Sequence, residues 1–234
     1  MGNALLLPLR LGLVNAYLLV EGGRAVLVDG GYPGADIASA LVSAGHSSPP
    51  PELAVVTHAH TDHFGGLKAY AASCPGLGIA VGAKDAAGLE QGINVDLAPF
   101  GAMGWLAGRF AGQPKPSGAG LAPTLLFQGG ESLAQFGLDA EIIATPGHTR
   151  GSLSVFIPKA VDERGMDIGA AAIIGDLVMG GFLLKSRPRP PFFASGMDEL
   201  RRSLATLKSR GTEILYPGHG GPLLAKRVFA RFGV

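Results

Sequence analysis

The segment Thr57-His58-Ala59-His60-Thr61-Asp62-His63 packs three of the chain's six histidines and a carboxylate into seven residues. Imidazole is the commonest protein metal ligand, and imidazole combined with carboxylate suits zinc or iron better than magnesium or calcium. If residues 57–60 continue the apolar run before them as a strand, His58 and His60 project from the same side. Asp62 and His63 then fall where strand gives way to helix, a turn that can fold them back to the same cation. His148 in Thr145-Pro146-Gly147-His148-Thr149 and His219 in Pro217-Gly218-His219-Gly220 each occupy a turn at the end of an expected strand. Asp29, in Asp29-Gly30-Gly31, and Asp176, in Gly175-Asp176, each follow a short buried strand. Taken singly, these residues have structural explanations: Asp62 can cap a helix, the histidines can be turn residues and the aspartates can open turns. Together they terminate strands, so folding collects them on one rim. The residues alone leave Asp29 and Asp176 as equal choices for a bridging carboxylate.

The elements that must position these side chains follow an α/β rhythm. Apolar periodicity predicts strands at 5–9, 16–21, 25–28, 53–57 and 78–82, with helices at 35–44 and 64–72. A second strand-rich part is expected at 124–127, 131–136, 140–145, 152–157 and 170–174, followed by a helix at 197–210 and a strand at 213–216. Residues 86–123 interrupt the rhythm with Leu97, Phe100, Met103, Trp105, Leu106 and Phe110 among few charges. Long apolar insertions of this kind are functional or form interfaces. With no repeat, low-complexity tract or linker, residues 1–234 are expected to form a single domain, with two sheets between helices.

Composition excludes several functions. Apolar residues are 47% and charged residues 16%, and 37 Gly with 17 Pro indicate a globular chain rich in tight turns. The net charge of +1 and the absence of any Lys/Arg run longer than a pair leave no footprint for nucleic acid. Cys74 stands alone, so no disulfide framework or oxidising compartment is implied. Residues 1–20 are apolar, but Pro8, Arg10 and Asn15 interrupt them, which reads as strand rather than signal or membrane anchor. Met1-Gly2-Asn3 lacks the Ser or Thr that a myristoylation start needs at position 6, where Leu6 stands. His46, in a proline-rich loop, reads as a solvated residue. The expectation is a cytoplasmic protein with a small-molecule substrate and no nucleic-acid or membrane partner. No G-x-S-x-G elbow is present, which favours a metal route over a covalent one.

THAHTDH resembles the HxHxDH signature of the metallo-β-lactamase superfamily. The likeness extends through LVDGG, TPGHT, GD and PGHG in the same order over nearly the whole chain. The resemblance implies a four-layer αβ/βα sandwich, with two mixed sheets flanked by helices and a dinuclear metal site at one edge. Carried over by position, His58, His60 and His148 would hold the first metal, Asp62, His63 and His219 the second, and Asp176 would bridge. Asp29 then becomes an outer residue that orients a ligand. Two Zn2+ ions are expected, with iron or manganese as the other metals the family admits. Two cations about 3.5–4 Å apart lower the pKa of a shared water and provide a bridging hydroxide as nucleophile. Asp62 is the expected catalytic residue, orienting that water or relaying its proton.

Departures from subfamily patterns narrow the branch to one similar to glyoxalase II enzymes and lactonases. No cysteine stands at a ligand position, and Ala59 replaces the Glu of the flavodiiron branch. Fifteen residues follow His219, which disfavours the glutathione-gripping region of glyoxalase II. Met179 stands where lactonases carry tyrosine, and the export signal of a secreted β-lactamase is not seen. The expected activity is hydrolysis of a small, largely apolar ester, lactone or thioester. The alternatives are a mononuclear iron oxygenase of the persulfide dioxygenase type, using His58, His60 and Asp176 or a similar set, and a phosphodiesterase. Trp105, Phe182 and Phe192, with Leu183 and Phe193, are expected to wall an apolar substrate cleft, the other reading of the insertion being a homodimer contact. Arg187 and Arg189 are either a clamp for a substrate carboxylate or solvated loop residues.

Overall fold

The computed structural model describes residues 3–111, 116–181 and 184–234. The first half contains β1 (Ala4–Leu11), β2 (Val14–Glu21), β3 (Arg24–Val28), α1 (Ile37–Ser43), β4 (Leu53–Val56), α2 (Thr61–Phe64), α3 (Leu67–Ser73), β5 (Gly78–Gly82), α4 (Ala86–Gln91), α5 (Gly101–Ala111) and β6 (Leu125–Phe127). The second half contains a 3-10 turn (Ala134–Phe136), β7 (Glu141–Ala144), β8 (Leu153–Val161), β9 (Asp167–Gly175), α6 (Met197–Ser209), β10 (Ile214–Pro217), β11 (Leu223–Leu224) and α7 (Ala225–Phe232).

In the first half β1, β2 and β3 are antiparallel, and β3 through β6 run parallel. In the second half β7, β8 and β9 are antiparallel, β9 and β10 parallel, and β11 closes the edge. The two mixed sheets expected are joined along one hydrogen-bonded path. The seam is β1 beside β8, paired only at Ala4 with Ala160 and Leu5 with Val161.

Strand side chains alternate between faces, and that period of two builds the layers. Leu19, Val26, Val28, Val55, Val155 and Ile173 point into the core between the halves. Their neighbours Leu18, Leu27, Ala54 and Val56 face a second core that Ile37, Leu41, Phe64, Leu67 and Leu89 of the helices close. On the far side Ala172, Ile174 and Leu215 pack under Leu200, Leu204 and Leu207 of α6 and Val228 and Phe229 of α7. Three apolar layers between helices, sheet, sheet and helices make the α/β sandwich.

Several sequence expectations need correction. Residues 131–136 are not a strand: Ser132 makes one isolated bridge to Glu141, and the chain then tightens into the 3-10 turn. The helix expected at 64–72 is divided into α2 and α3 at Gly65 and Gly66. A side chain at Gly65 would strike the ring of Pro33, so the close approach of that loop requires glycine. β4 stops at Val56, so residues 57–60 do not continue the strand. The insertion at 86–123 contains two helices, and β11 and α7 had no counterpart in the sequence reading.

Candidate metal centre

β4 delivers the chain to the rim, where the buried Asp29 captures it. Thr57 N donates to Asp29 Oδ1 at 2.8 Å, and His60 N donates to His58 O at 3.0 Å, folding the segment into a bend. The extended His60 then leads into α2, which turns the fully buried His63 back toward His58, their ring centroids 4.1 Å apart. The His148 turn enters from the start of β8 and the His219 turn from the end of β10. Asp176 follows β9. The strand-end placement read from the sequence holds, but through bends rather than a continued strand.

Three ligand groups result, in each of which the donor atoms lie within 4.8 Å of one another. They are His58, His60 and His148; His58, His63 and Asp176; and Asp62, His63 and His219. The five histidines share one arrangement: one ring nitrogen is held from outside and the other faces inward. His60 Nε2 donates to Val95 O at 2.7 Å, His148 Nδ1 to Phe193 O at 2.8 Å and His219 Nδ1 to Leu13 O at 3.0 Å. Thr57 Oγ1 donates to the Asp29 carboxylate at 2.8 Å, so its 3.1 Å contact with His58 Nδ1 must be donated by the imidazole. Asp29 Oδ2 also accepts from His63 Nδ1 at 2.7 Å. Asp29 therefore sets the tautomer of one histidine directly and of another through Thr57. Its φ of 62° lies in the left-handed region that Asp tolerates better than most residues.

The inward atoms fit a cation. His58 Nε2, His63 Nε2 and Asp176 Oδ1 are buried without a hydrogen-bond partner, where an unpaired polar atom is costly. His60 Nδ1 and His148 Nε2 face each other at 3.1 Å, yet both imidazoles spend their proton on outside carbonyls. Two opposed lone pairs require a positive charge beside them. Imidazole with carboxylate is a donor set for zinc, iron or manganese. Gly218 is required here by close approach, because a Cβ would lie 2.6 Å from Asp176 Oδ1 and closer still to the His63 ring.

Charge divides the cluster. Burial, reinforced by neighbouring imidazoles, pushes His58 well below 6.5 and His148 down to about 3, and His60 is lowered chiefly by burial. Burial also opposes protonation of His63 and His219, but the nearby carboxylates outweigh it and raise both. Burial works against ionised Asp62 and Asp176 too, and the surrounding imidazoles more than compensate, holding both carboxyls well below the usual range. His219 Nε2 lies 3.3 Å from Asp62 Oδ2 and 3.4 Å from Asp176 Oδ2.

The proposed substrate residues lie differently. Trp105 is 61% exposed on α5, with the Arg109 guanidinium 5.1 Å from its ring centroid. Phe192 is half-buried, and its carbonyl accepts from Phe100 N at 2.7 Å, tying α5 to the loop whose Phe193 carbonyl holds His148. Phe182 and Leu183, and the side chains of Met103 and Phe110, lie outside the described residues. Met179 and Arg189 pair through their backbones, and Arg187 is exposed.

Sequence reasoning missed three supporting residues. Asn15 Nδ2 donates to the carbonyls of Pro217 and Gly220, and the Tyr17 hydroxyl donates to Pro217 O at 2.6 Å, so β2 fixes the His219 turn. The third, Asp85, binds the turns that carry His60 and His148. Its only sequence signal was an aspartate after a buried strand, the same signal that marked Asp29 and Asp176.

The family model described as "Metallo-beta-lactamase superfamily" matches residues 9–219. The chain is 26% identical over 212 residues to "Uncharacterized protein YobT" of Bacillus subtilis (strain 168), covering 88% of this chain and 83% of that protein. It is 27% identical over 232 residues to the acyl-coenzyme A thioesterase MBLAC2 of Gallus gallus, covering 92% and 75%. Among solved structures, a B3 metallo-beta-lactamase with an active-site glutamic acid superposes with a TM-score of 0.69 at 22% identity, covering 96% of this chain and 83% of that one. The likeness to that enzyme is one of fold. Among the described residues no helix is long and apolar enough to cross a membrane.

Proposed function

The chain belongs to the metallo-beta-lactamase superfamily, and from that premise we propose that it is a cytoplasmic, dinuclear zinc-dependent hydrolase of a small, largely apolar acyl compound. An acyl thioester is the first substrate class to test, ahead of an ester or lactone. The observation that carries this reading is the pair of three-residue groups, His58, His60, His148 and Asp62, His63, His219, with Asp176 grouped beside His58 and His63. The acyl-coenzyme A thioesterase among the relatives supports the thioester, with 27% identity over most of both chains.

His58, His60 and His148 would hold one metal and Asp62, His63 and His219 the other, with Asp176 between. Metal ions bound there supply hydroxide at neutral pH and polarise the scissile carbonyl. The residues of the chain do the rest. Asp29 and Thr57 keep the lone pairs of His58 and His63 turned inward. Asp62, partly exposed and held ionised, would orient the attacking water or relay its proton. α5 and the loop around Phe192 exclude water from the acyl side, with Trp105 as an apolar contact.

The oxygenase alternative draws less support, because Asp62, His63 and His219 make a further group able to hold a second metal, which a mononuclear centre does not need. Metal analysis of the purified protein, followed by a panel of acyl thioesters, lactones and aryl esters, tests the proposal. Near two zinc per chain with thioester turnover is expected. One iron per chain with oxygen uptake would overturn it.

A further inference from the structure

Asp85 follows β5 and directly precedes α4, yet its carboxylate makes no capping bond to that helix. The residue is 1% exposed, and no ion pair joins it among the described residues. A buried carboxylate without a cation is expensive unless donors saturate it. Three do. Oδ2 accepts from Ala59 N at 2.9 Å and from the Thr149 hydroxyl at 2.7 Å, and Oδ1 accepts from Gly151 N at 2.8 Å. Thr149 N and Oγ1 also meet Ser152 Oγ, at 3.0 and 2.7 Å, which fixes the hydroxyl that Asp85 receives. The approach is tight enough that a Cβ at Gly151 would lie 2.6 Å from Asp85 Cγ.

The donors fall on two turns far apart in sequence. Ala59 lies between His58 and His60, and Thr149 follows His148. Asp85 thus grips both turns that carry the three-histidine group, and its bonds reach none of Asp62, His63 or His219. Asp29 differs, since it serves a histidine in each half. We infer that Asp85 is a positioning residue that spaces the His58–His60 turn from the His148 turn, and so sets metal affinity in the three-histidine half alone. The inference rests on the metal reading of the site. Outer residues of metal sites commonly change affinity by about 10–100-fold when altered, and here the change should be confined to one of two bound ions.

The test uses the full chain with D85N, T149V and T149S. Each stepwise Zn2+ affinity is measured by competition with a chromophoric chelator, and amide exchange at Ala59 and Gly151 is followed in metal-free protein. D85N places an amide NH2 or an unmatched oxygen against the three donors, and T149V removes one donor. Both should weaken one of the two zinc equivalents by about 10–100-fold and leave the other unchanged, with faster exchange at Ala59 in D85N. T149S, which keeps the hydroxyl, should behave as wild type. Should D85N fail to fold, the T149V and T149S pair decides the question. Unchanged affinities in T149V, or equal weakening of both equivalents, overturns the inference. Wild-type protein that takes up no divalent metal removes the metal reading and this inference with it. In that case the exchange difference at Ala59 remains, which distinguishes the two failures.

Discussion

The group formed by His58, His60 and His148 contains no carboxylate, whereas His63 and His219 lie against Asp29, Asp62 and Asp176. The pKa of the same side chain is consequently pushed in opposite directions on the two sides. Burial keeps the first group neutral, with lone pairs already presented inward. The carboxylates favour the protonated form of His63 and His219 in the second group. One half is ready for a cation, while the other must exchange protons for it. The contrast is local electrostatics on a shared scaffold: each imidazole is held from outside, His63 by the Asp29 carboxylate, His58 by the Thr57 hydroxyl and the other three by backbone carbonyls.

Removing a ligand from either half should produce the largest effect. His60→Ala is expected to lower kcat/KM by more than about 100-fold, beyond the range of outer residues, and to lose one metal equivalent, read by turnover and metal analysis. Full activity and loading in this variant would break the site assignment. Asp29→Asn should come next, weakening both equivalents by about 10–100-fold because it removes an acceptor serving His63 directly and His58 through Thr57. Asn tolerates the left-handed backbone at this position, so the carboxylate is tested and not the turn. If only one equivalent weakened, the idea that Asp29 spans both halves would fail.

The halves should also respond oppositely to pH. His63 and His219 have folded pKa values above the ordinary 6.5, so the stability they contribute is complete below that value and is lost as pH rises through the folded pKa. His58, His60 and His148 have depressed values, so the folded state loses stability as pH falls below 6.5 and they are forced to charge, for His148 down to about 3. Metal entry should therefore release more protons with the equivalent held by Asp62, His63 and His219 than with the one held by His58, His60 and His148. Calorimetric titration in two buffers of different ionisation heat measures this, and equal release in both steps would erase the contrast.

The candidate ligands are more legible in the sequence than their supports, for a physical reason. His58, His60, His63, His148 and His219 declare their chemistry by residue type and by position near strand ends, whereas Asp176 is separated from Asp29 only by the family resemblance. Asn15 and Tyr17 act on the backbone of a turn some 200 residues away, and no local pattern encodes such a contact. Asp85 stands in the sequence only as an aspartate after a buried strand, with nothing to mark its partners 26 and 64 residues away. The sandwich was legible because short apolar runs, buried on both faces, recur between helical segments along the chain, while details failed where close contacts decide. Leu133, Phe136 and Leu138 are apolar enough for a strand, but Gly137 in the left-handed region ends a 3-10 turn instead. α7 was hidden by its charges: Lys226, Arg227 and Arg231 surround the Ala225, Val228 and Phe229 face that packs against the core.

The smallest expected effect lies outside the ligand cluster. Trp105 touches no ligand in the contacts that define the site, but α5 meets the Phe192–Phe193 loop, and the Phe193 carbonyl holds His148. If α5 serves as an apolar wall, Trp105→Ala should raise KM several-fold for long acyl chains, about 1 kcal/mol, the lower end of what a hydrophobic pocket contact supplies, with metal content intact. Short acyl chains should be affected less. If α5 instead acts through the loop, the change should appear in the affinity of the three-histidine half, independent of acyl length. Comparing kcat/KM for long and short acyl thioesters alongside stepwise zinc affinity separates these cases, and equal ratios in wild type and variant would remove Trp105 from the substrate path.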